Sequence, residues 1–125
     1  MSKYTIMLSC AAGMSTSMLV SKMKEVAKNK NIDADIFAVP AGNALSQLDS
    51  KTIDCVLLGP QVSYMEDDFK KMLDGRKNSL DKSIPLAVID MQAYGMMNGG
   101  KVLDQALSLI REWLNKWTDK VGIRI

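Results

Sequence analysis

The stretch that decides the fold is Tyr4-Thr5-Ile6-Met7-Leu8-Ser9-Cys10-Ala11-Ala12-Gly13-Met14-Ser15-Thr16-Ser17-Met18. It opens as an apolar run of strand length, passes into small and hydroxyl-bearing residues, and continues into a segment with helical spacing of apolar residues. A strand that enters a helix in this way leaves free backbone N–H groups at the helix N-terminus. Because the helix dipole also favours negative charge there, the stretch predicts an anion-binding site.

Cys10 stands where the predicted strand meets this turn. The field that binds an anion also stabilises a thiolate over a thiol, so Cys10 is predicted to be a nucleophile. The loop predicted to bind phosphoryl oxygens through its backbone N–H groups consists of Ala11, Ala12, Gly13, Met14, Ser15, Thr16 and Ser17. Gly13 permits a backbone conformation that a side chain would strain. These features predict that Cys10 carries a phosphoryl group as phosphocysteine.

The composition excludes several classes of function. With 125 residues, 47% of them hydrophobic, the chain can bury its core as one domain, predicted to span 1–125. A net charge of +2, without Lys and Arg runs beside aromatic residues, argues against nucleic-acid binding. The lack of a membrane-spanning or signal-peptide pattern predicts a cytoplasmic protein whose two cysteines are thiols. The absence of histidine excludes Ser-His-Asp and Cys-His catalysis and leaves no credible zinc site.

Strand and helix patterns alternate along the chain. Strands are predicted at Thr5–Ser9 and Ile32–Val39, within the apolar run Ile53–Pro60, and at Ile84–Asp90. Helices are predicted from the capping hydroxyls of Ser15–Ser17 to about Lys30, and at Ala44–Ser50, Tyr64–Leu73 and Lys101–Trp117, with a tail at 118–125. Met91–Gly100 is predicted to be a loop. This alternation predicts a doubly wound α/β domain with a parallel sheet.

Ligands of such sheets bind outside the carboxyl ends of the strands, where the loops Cys10–Ser17, Gly59–Tyr64 and Asp90–Gly100 are expected. The last two loops contribute four candidate supporting residues, namely Gln61, Tyr64, Asp90 and Tyr94. For each of them, an anchoring role in its loop and a direct role at the site stay open. Cys55 lies inside a buried run and is predicted to be structural.

Three stretches carry a family resemblance: Cys10–Ser17 after the first strand, Leu57–Val62 after the third, and Ile89–Gly99 after the fourth. The first resembles the phosphorylation loop of the lactose/cellobiose family of sugar phosphotransferase system (PTS) IIB subunits, and the other two agree with it. The resemblance runs from the first strand through the last helix. It implies a three-layer α/β fold with a four-stranded parallel sheet and helices on both faces, similar to the low-molecular-weight tyrosine phosphatases.

The resemblance also implies a function. A phosphoryl group arrives from a phosphohistidine of the IIA subunit, is held on Cys10, and passes to a disaccharide of the cellobiose, chitobiose or lactose type bound by the membrane-embedded IIC subunit. No cofactor and no metal are expected. The chain itself is expected not to insert into the membrane, but to associate peripherally with IIC.

Three other functions stay open. A cysteine phosphatase places an arginine six residues after its nucleophile, where this chain has Thr16, and uses an Asp-Pro pair that the sequence lacks. An arsenate-reductase-like enzyme needs a resolving thiol, and Cys55 is predicted to be buried away from Cys10. A non-catalytic anion-binding module is the third alternative, which replacement of Cys10 by Ser would distinguish.

Overall fold

The computed structural model describes residues 4–11, 14–79 and 82–121, which contain four strands and five α-helices. The strands are β1 (Tyr4–Cys10), β2 (Ala34–Pro40), β3 (Cys55–Leu58) and β4 (Leu86–Val88). The helices are α1 (Met14–Asn29), α2 (Ala44–Ser50), α3 (Glu66–Leu73), α4 (Met91–Gly95) and α5 (Gly99–Val121). Short 3₁₀ segments at Ala41–Asn43 and Pro60–Met65 lead into α2 and α3.

All strand pairs are parallel, in the order β2-β1-β3-β4. The strand β1 is therefore hydrogen-bonded on both sides, with Ile6 opposite Ile36 of β2 and Cys55 of β3. The last five residues of β1 and all four of β3 are buried. This explains why both segments are near-continuous apolar runs, since strands covered on both faces lack alternation.

The side chains of β1 alternate between two hydrophobic clusters, one on each face of the sheet. Ile6 and Leu8 pack in a cluster with α1 and α5. Met7 packs in the other cluster, where α2 and α3 contribute buried residues such as Phe69. The sheet is thus covered by helices on both faces, and the prediction of a three-layer α/β fold is confirmed.

The amino edge of the sheet is fixed by a buried carboxylate. Asp54, which is 1% exposed, accepts hydrogen bonds from the backbone N–H groups of Thr5 at 2.8 Å and Ser79 at 2.9 Å, and from the Ser79 hydroxyl. These bonds attach the loop after α3 to the start of β1. They hold the sheet at the end opposite Cys10.

Several predicted boundaries were wrong. The segment Met91–Gly100 is not a loop throughout, because it contains α4, a helix of five residues that is too short to show a helical period. The helix α1 begins at Met14, so residues 15–17 lie within its first turn rather than before it. The α-helix α3 begins at Glu66, not Tyr64, and α5 continues to Val121, past the predicted end at Trp117.

Gly99 lies where the start of α5 comes close to the backbone of α1. A Cβ atom built there would lie 2.6 Å from the carbonyl carbon of Lys22 and 2.7 Å from the nitrogen of Met23, both backbone atoms that cannot move aside. We expect Gly99→Ala to lower the free energy of unfolding by about 1–3 kcal/mol, as overpacking does, in urea denaturation. Gly42→Ala is the control, because a Cβ there meets nothing within 4 Å. Equal losses of stability in the two variants would contradict this packing.

Candidate active site

Cys10 is the last residue of β1, at the carboxyl edge of the sheet. It lies opposite Pro40, the last residue of β2. On the other side, the N–H of Gly59 donates to the carbonyl of Ser9 at 2.8 Å, which holds the segment after β3 against the end of β1. The connections after three strands therefore meet around Cys10, as the parallel sheet predicts.

The sulfur of Cys10 lies below the surface of this edge. The residue is 2% exposed, and its Sγ lies 3.9 Å from the carbonyl oxygen of Val39. Gly59 flanks it closely, because a Cβ at that position would lie 3.7 Å from the Cβ of Cys10 and 3.1 Å from Oε1 of Gln61. The arrangement shields the thiol from bulk water.

The helix α1 begins four residues after Cys10. Its N-terminus, with the positive end of its dipole, thus comes shortly after the end of β1 in the chain, as the sequence predicted. Ala11 is exposed. The predicted loop residues Ala12 and Gly13 lie outside the described residues, as do the side chains of Met14 and Ser15.

Thr16 and Tyr94 connect this loop to the segment after β4. Thr16 is fully buried, and its hydroxyl lies 3.4 Å from the hydroxyl of Tyr94, in contact distance for a long hydrogen bond. Tyr94 packs against the cluster between the sheet and α1 and α5. The structure thus places Tyr94, a candidate supporting residue, in contact with a residue of the predicted phosphate loop.

Gln61 and Tyr64 lie on the 3₁₀ segment after β3 and are exposed. The carboxamide oxygen of Gln61 lies close to Gly59, and thus near Cys10. Tyr64 is 79% exposed and stands away from the core. The segment is instead anchored by its buried neighbour Val62.

Asp90 anchors α4. Its Oδ2 accepts a hydrogen bond from the N–H of Ala93 at 2.9 Å, which makes it the N-cap of that helix. Its own N–H donates to Oε1 of Gln105 at 3.1 Å, and Nε2 of Gln105 donates to the carbonyl of Val88 at 2.9 Å. The structure therefore gives Asp90 the anchoring role.

Sequence reasoning missed three features of this edge. The side chain of Gln105 in α5 forms hydrogen bonds with the backbone at the end of β4 and just after it. Gln105 lies in the predicted last helix, where nothing in the sequence marks it as a functional residue. The α4 N-cap had a local signal, because Asp is a preferred N-cap residue and Asp90 stands at the end of a predicted strand. The Oγ of Ser9 is buried without a hydrogen-bond partner within the described residues, a feature that only the tertiary structure reveals.

Cys55 does not take part in the site. It pairs with Ile6, four residues before Cys10, which separates the two thiols by about 13 Å along the strand direction. A disulfide requires Cα atoms within roughly 7 Å, so Cys55 cannot be a resolving thiol in this structure. Burial, and next the charge of Asp54, raises the pKa of the Cys55 thiol from 9.0 to about 12. The prediction of a buried structural cysteine is confirmed.

The fold and the position of Cys10 define the class: a three-layer α/β protein with a cysteine between its first parallel strand and a helix N-terminus. The family described as "PTS system, Lactose/Cellobiose specific IIB subunit" matches residues 5–105. The chain belongs to this family, and thus to the phosphotransferase components that serve carbohydrate transport and phosphotransfer. Membership implies interaction with IIA and IIC subunits of such a system.

Relatives agree with this assignment. The chain is 44% identical to the oligo-beta-mannoside-specific EIIB component of Bacillus subtilis, over 84% of this chain and 94% of that one. It is 42% identical both to the cellobiose-specific EIIB component of Lactococcus lactis subsp. lactis and to the galactose-specific one of subsp. cremoris, each over 88% of this chain and 99% of the other.

Solved structures have the same fold. The cellobiose-specific IIB component of Borrelia burgdorferi superposes with a TM-score of 0.69 at 35% identity, covering 89% of this chain and 94% of that one. The lactose-specific IIB domain of Streptococcus pneumoniae does so with a TM-score of 0.70 at 15% identity, over 86% and 98%, and at that identity it supports the fold alone. Such IIB domains share the fold of the low-molecular-weight tyrosine phosphatases, which confirms that prediction.

We predict that Asp90 acts only through its N-cap. Asp90→Ala removes the bond to Ala93 and is expected to lower the free energy of unfolding by about 1 kcal/mol in urea denaturation. Asp90→Asn keeps a capping oxygen and is expected to match the wild type. If Asp90→Asn were as stable as the wild type but lost most of its phosphoryl acceptance, the carboxylate would have a direct role and the prediction would fail.

The buried Cys55 thiol predicts a pH dependence of stability. In the unfolded chain this thiol loses its proton above about pH 9, whereas in the folded chain it keeps the proton until about pH 12. The Cys55 thiol therefore lowers the stability of the wild type in this window, by up to about 1.4 kcal/mol per pH unit, and Cys55→Ala lacks this contribution. We expect the stability difference between the two proteins, measured in urea, to change in this direction between pH 8 and pH 11. A constant difference would contradict the burial of the thiol.

Proposed function

We propose that this protein is a phosphocarrier in which Cys10 accepts a phosphoryl group from a phosphohistidine of a IIA subunit and passes it to a sugar bound by a IIC subunit. The observation that carries the proposal is the position of Cys10, at the end of the central strand and directly before the N-terminus of α1. Family membership supports it, because the related components serve phosphotransfer.

The proposed cycle consists of two displacements at phosphorus. In the first, the Cys10 thiolate attacks the phosphohistidine, a P–S bond forms, the P–N bond breaks, and the electron pair stays on the imidazole, which takes up a proton. In the second, a sugar hydroxyl attacks phosphocysteine, a P–O bond forms, and the P–S pair returns to sulfur while the hydroxyl proton leaves to solvent. Both steps depend on positioning and on stabilisation of the equatorial oxygens, which N–H groups at a helix start supply.

Two observations favour a carrier over a phosphatase. The position of the phosphatase arginine is occupied by Thr16, which is buried against Tyr94, so no cation from that position reaches the phosphoryl group. The sequence also has no Asp-Pro pair to supply a general acid. Attack by water therefore lacks acid–base assistance, and phosphocysteine should persist until an acceptor arrives.

The sugar is proposed to be a β-linked disaccharide. The relatives are named for oligo-beta-mannoside, cellobiose and galactose at nearly the same identity, so similarity of this chain alone does not separate them. In the proposed cycle the IIC subunit binds the sugar and therefore selects it. None of the helices in the described part of the chain is long and apolar enough to cross a bilayer. We propose that the protein, a single domain, works at the cytoplasmic face and reaches the membrane through IIC.

Intact-mass analysis after incubation with a phosphohistidine-charged IIA subunit tests the proposal. We expect one phosphoryl adduct on the wild type and on Cys55→Ser, and none on Cys10→Ser, because Cys55 is buried and lies outside the site. The adduct should disappear on addition of membranes that contain IIC and sugar, and it should otherwise be stable.

Two outcomes would contradict the carrier. An adduct that hydrolyses within seconds at neutral pH, or turnover of an aryl phosphate without a donor, would favour a phosphatase. No adduct on any variant, with phosphate still bound, would favour an anion-binding module.

A further inference from the structure

A cavity of about 300 Å³ opens at the amino edge of the sheet, at the end opposite Cys10. Its walls come from the end of α2 and the residues that follow, from the loop after α3, and from Ile84 shortly before β4. This volume is at the lower end of the range for small-molecule sites in proteins. The cavity is therefore of a size for a compact metabolite.

The cavity is separate from the site around Cys10. The N–H of Asp54, the residue after Ile53 of the cavity wall, donates to the carbonyl of Thr5 at 2.8 Å, so the wall lies beside the start of β1. Cys10 ends the same strand, five residues after Thr5 and thus about 16 Å further along it. A small molecule in the cavity therefore does not touch the thiol.

The cavity has an apolar floor and a polar mouth. The floor consists of Leu48, Ile53 and Ile84, which are buried members of the cluster between the sheet and the helices α2 and α3. Ser50 and Thr52 also line the cavity and are exposed. An apolar surface with a few polar groups is the usual construction of a small-molecule site. A pyranose ring fits this construction, because its C–H face is apolar and its edge carries hydroxyl groups.

The mouth of the cavity carries a positive charge. Among the described residues that line it, Lys51, Arg76 and Lys77 are cationic and Asp49 is the one acid. Their formal charges give +2, which equals the net charge of the whole chain. Because the wall of a cavity focuses the field of its charges, a small anion is attracted to this place.

Arg76 is held in position by the fold. Its Nε donates to the carbonyl of Met72, in the last turn of α3, at 3.0 Å, and its Nη2 donates to Oδ1 of Asp49 at 2.7 Å. Within the described part of the chain these contacts use two of the guanidinium N–H groups, and the others are left for an acceptor. A guanidinium fixed in this way matches the oxygens of a phosphate group and loses little freedom on binding.

We infer that this cavity is a second binding site and that it takes a hexose phosphate. The phosphate group contacts Arg76 and the two lysines, the sugar ring covers the apolar floor, and Asp49 accepts from a sugar hydroxyl. The inference does not rest on the proposed function, because none of these residues takes part in the transfer of a phosphoryl group through Cys10. A ligand here contacts segments after both α2 and α3, so it stabilises the folded chain.

Titration with glucose 6-phosphate, followed in ¹H–¹⁵N NMR spectra, tests the site. We expect saturable shifts of the amide signals of residues 50–53 and of Arg76 and Lys77, together with a higher midpoint of urea unfolding. Glucose and inorganic phosphate are the comparison probes. Each keeps only part of the contacts, so each should have a Kd at least about 10-fold higher.

Two pairs of lysines provide matched variants. Lys51→Gln/Lys77→Gln removes two exposed charges from the cavity, and Lys24→Gln/Lys28→Gln removes two exposed charges from α1, which packs on the other face of the sheet. We expect the Kd for glucose 6-phosphate to rise by about 10-fold in the first variant and to stay unchanged in the second.

Arg76→Lys separates binding from a purely structural role. It keeps the charge but loses the planar guanidinium, so the Kd for glucose 6-phosphate should rise. An arginine that served only the end of α3 would lower the stability of the variant and leave this Kd unchanged, which would contradict the assignment.

Three further results would overturn the inference. The first is a lack of saturable shifts around the cavity, including the case in which only signals near Cys10 move. The second is an equal Kd in the two double variants, which would reduce the attraction to net charge. The third is a Kd for glucose or for inorganic phosphate as low as that for glucose 6-phosphate. These measurements need neither IIA nor IIC, so their result is independent of whether Cys10 accepts a phosphoryl group.

Discussion

The pairing of β1 with β2 and β3 determines where the nucleophile lies. Because β1 is hydrogen-bonded on both sides, Cys10 is held at a fixed depth, level with Pro40 and just beyond the bond between Ser9 and Gly59. Pro40 has no N–H, which suits the last position of a strand. The strand β2 thus ends level with Cys10 and β3 ends level with Ser9, so their connections converge on Cys10. A shift of register by one residue would move the sulfur to the opposite face of the sheet.

The contact between the start of α1 and the segment after β4 joins residues that are far apart in the chain. Thr16 and Tyr94 are 78 residues apart, yet their hydroxyls lie 3.4 Å from each other. Tyr94 lies in α4, which is capped by Asp90, and Gln105 hydrogen-bonds to the backbone at the end of β4. The start of α1 is therefore contacted by a segment that follows the last strand of the sheet. A residue can thus support the site without touching a phosphoryl group.

The features that could be predicted from sequence are those with local causes. The alternation of strand and helix patterns was enough to predict the α/β class. The apolar run around Cys55 was enough to predict that this residue is buried. The position of Cys10 before a helix start follows from a single stretch of chain. The contact of Thr16 with Tyr94 and the role of Gln105 could not be predicted, because they arise only when distant segments pack. The helix α4 was not predicted, because its five residues do not complete two turns. The role of Asp90 as its N-cap stayed open for the same reason.

The presence of Thr16, where a cysteine phosphatase has its arginine, bears on how a carrier differs from a hydrolase. Groups that bind a phosphoryl group equally well in the ground state and the transition state hold it without accelerating its transfer. An arginine fixed beside the thiol would stabilise every displacement at phosphorus, including attack by water. With Thr16 at that position, attack by water on phosphocysteine lacks this assistance in the proposed cycle.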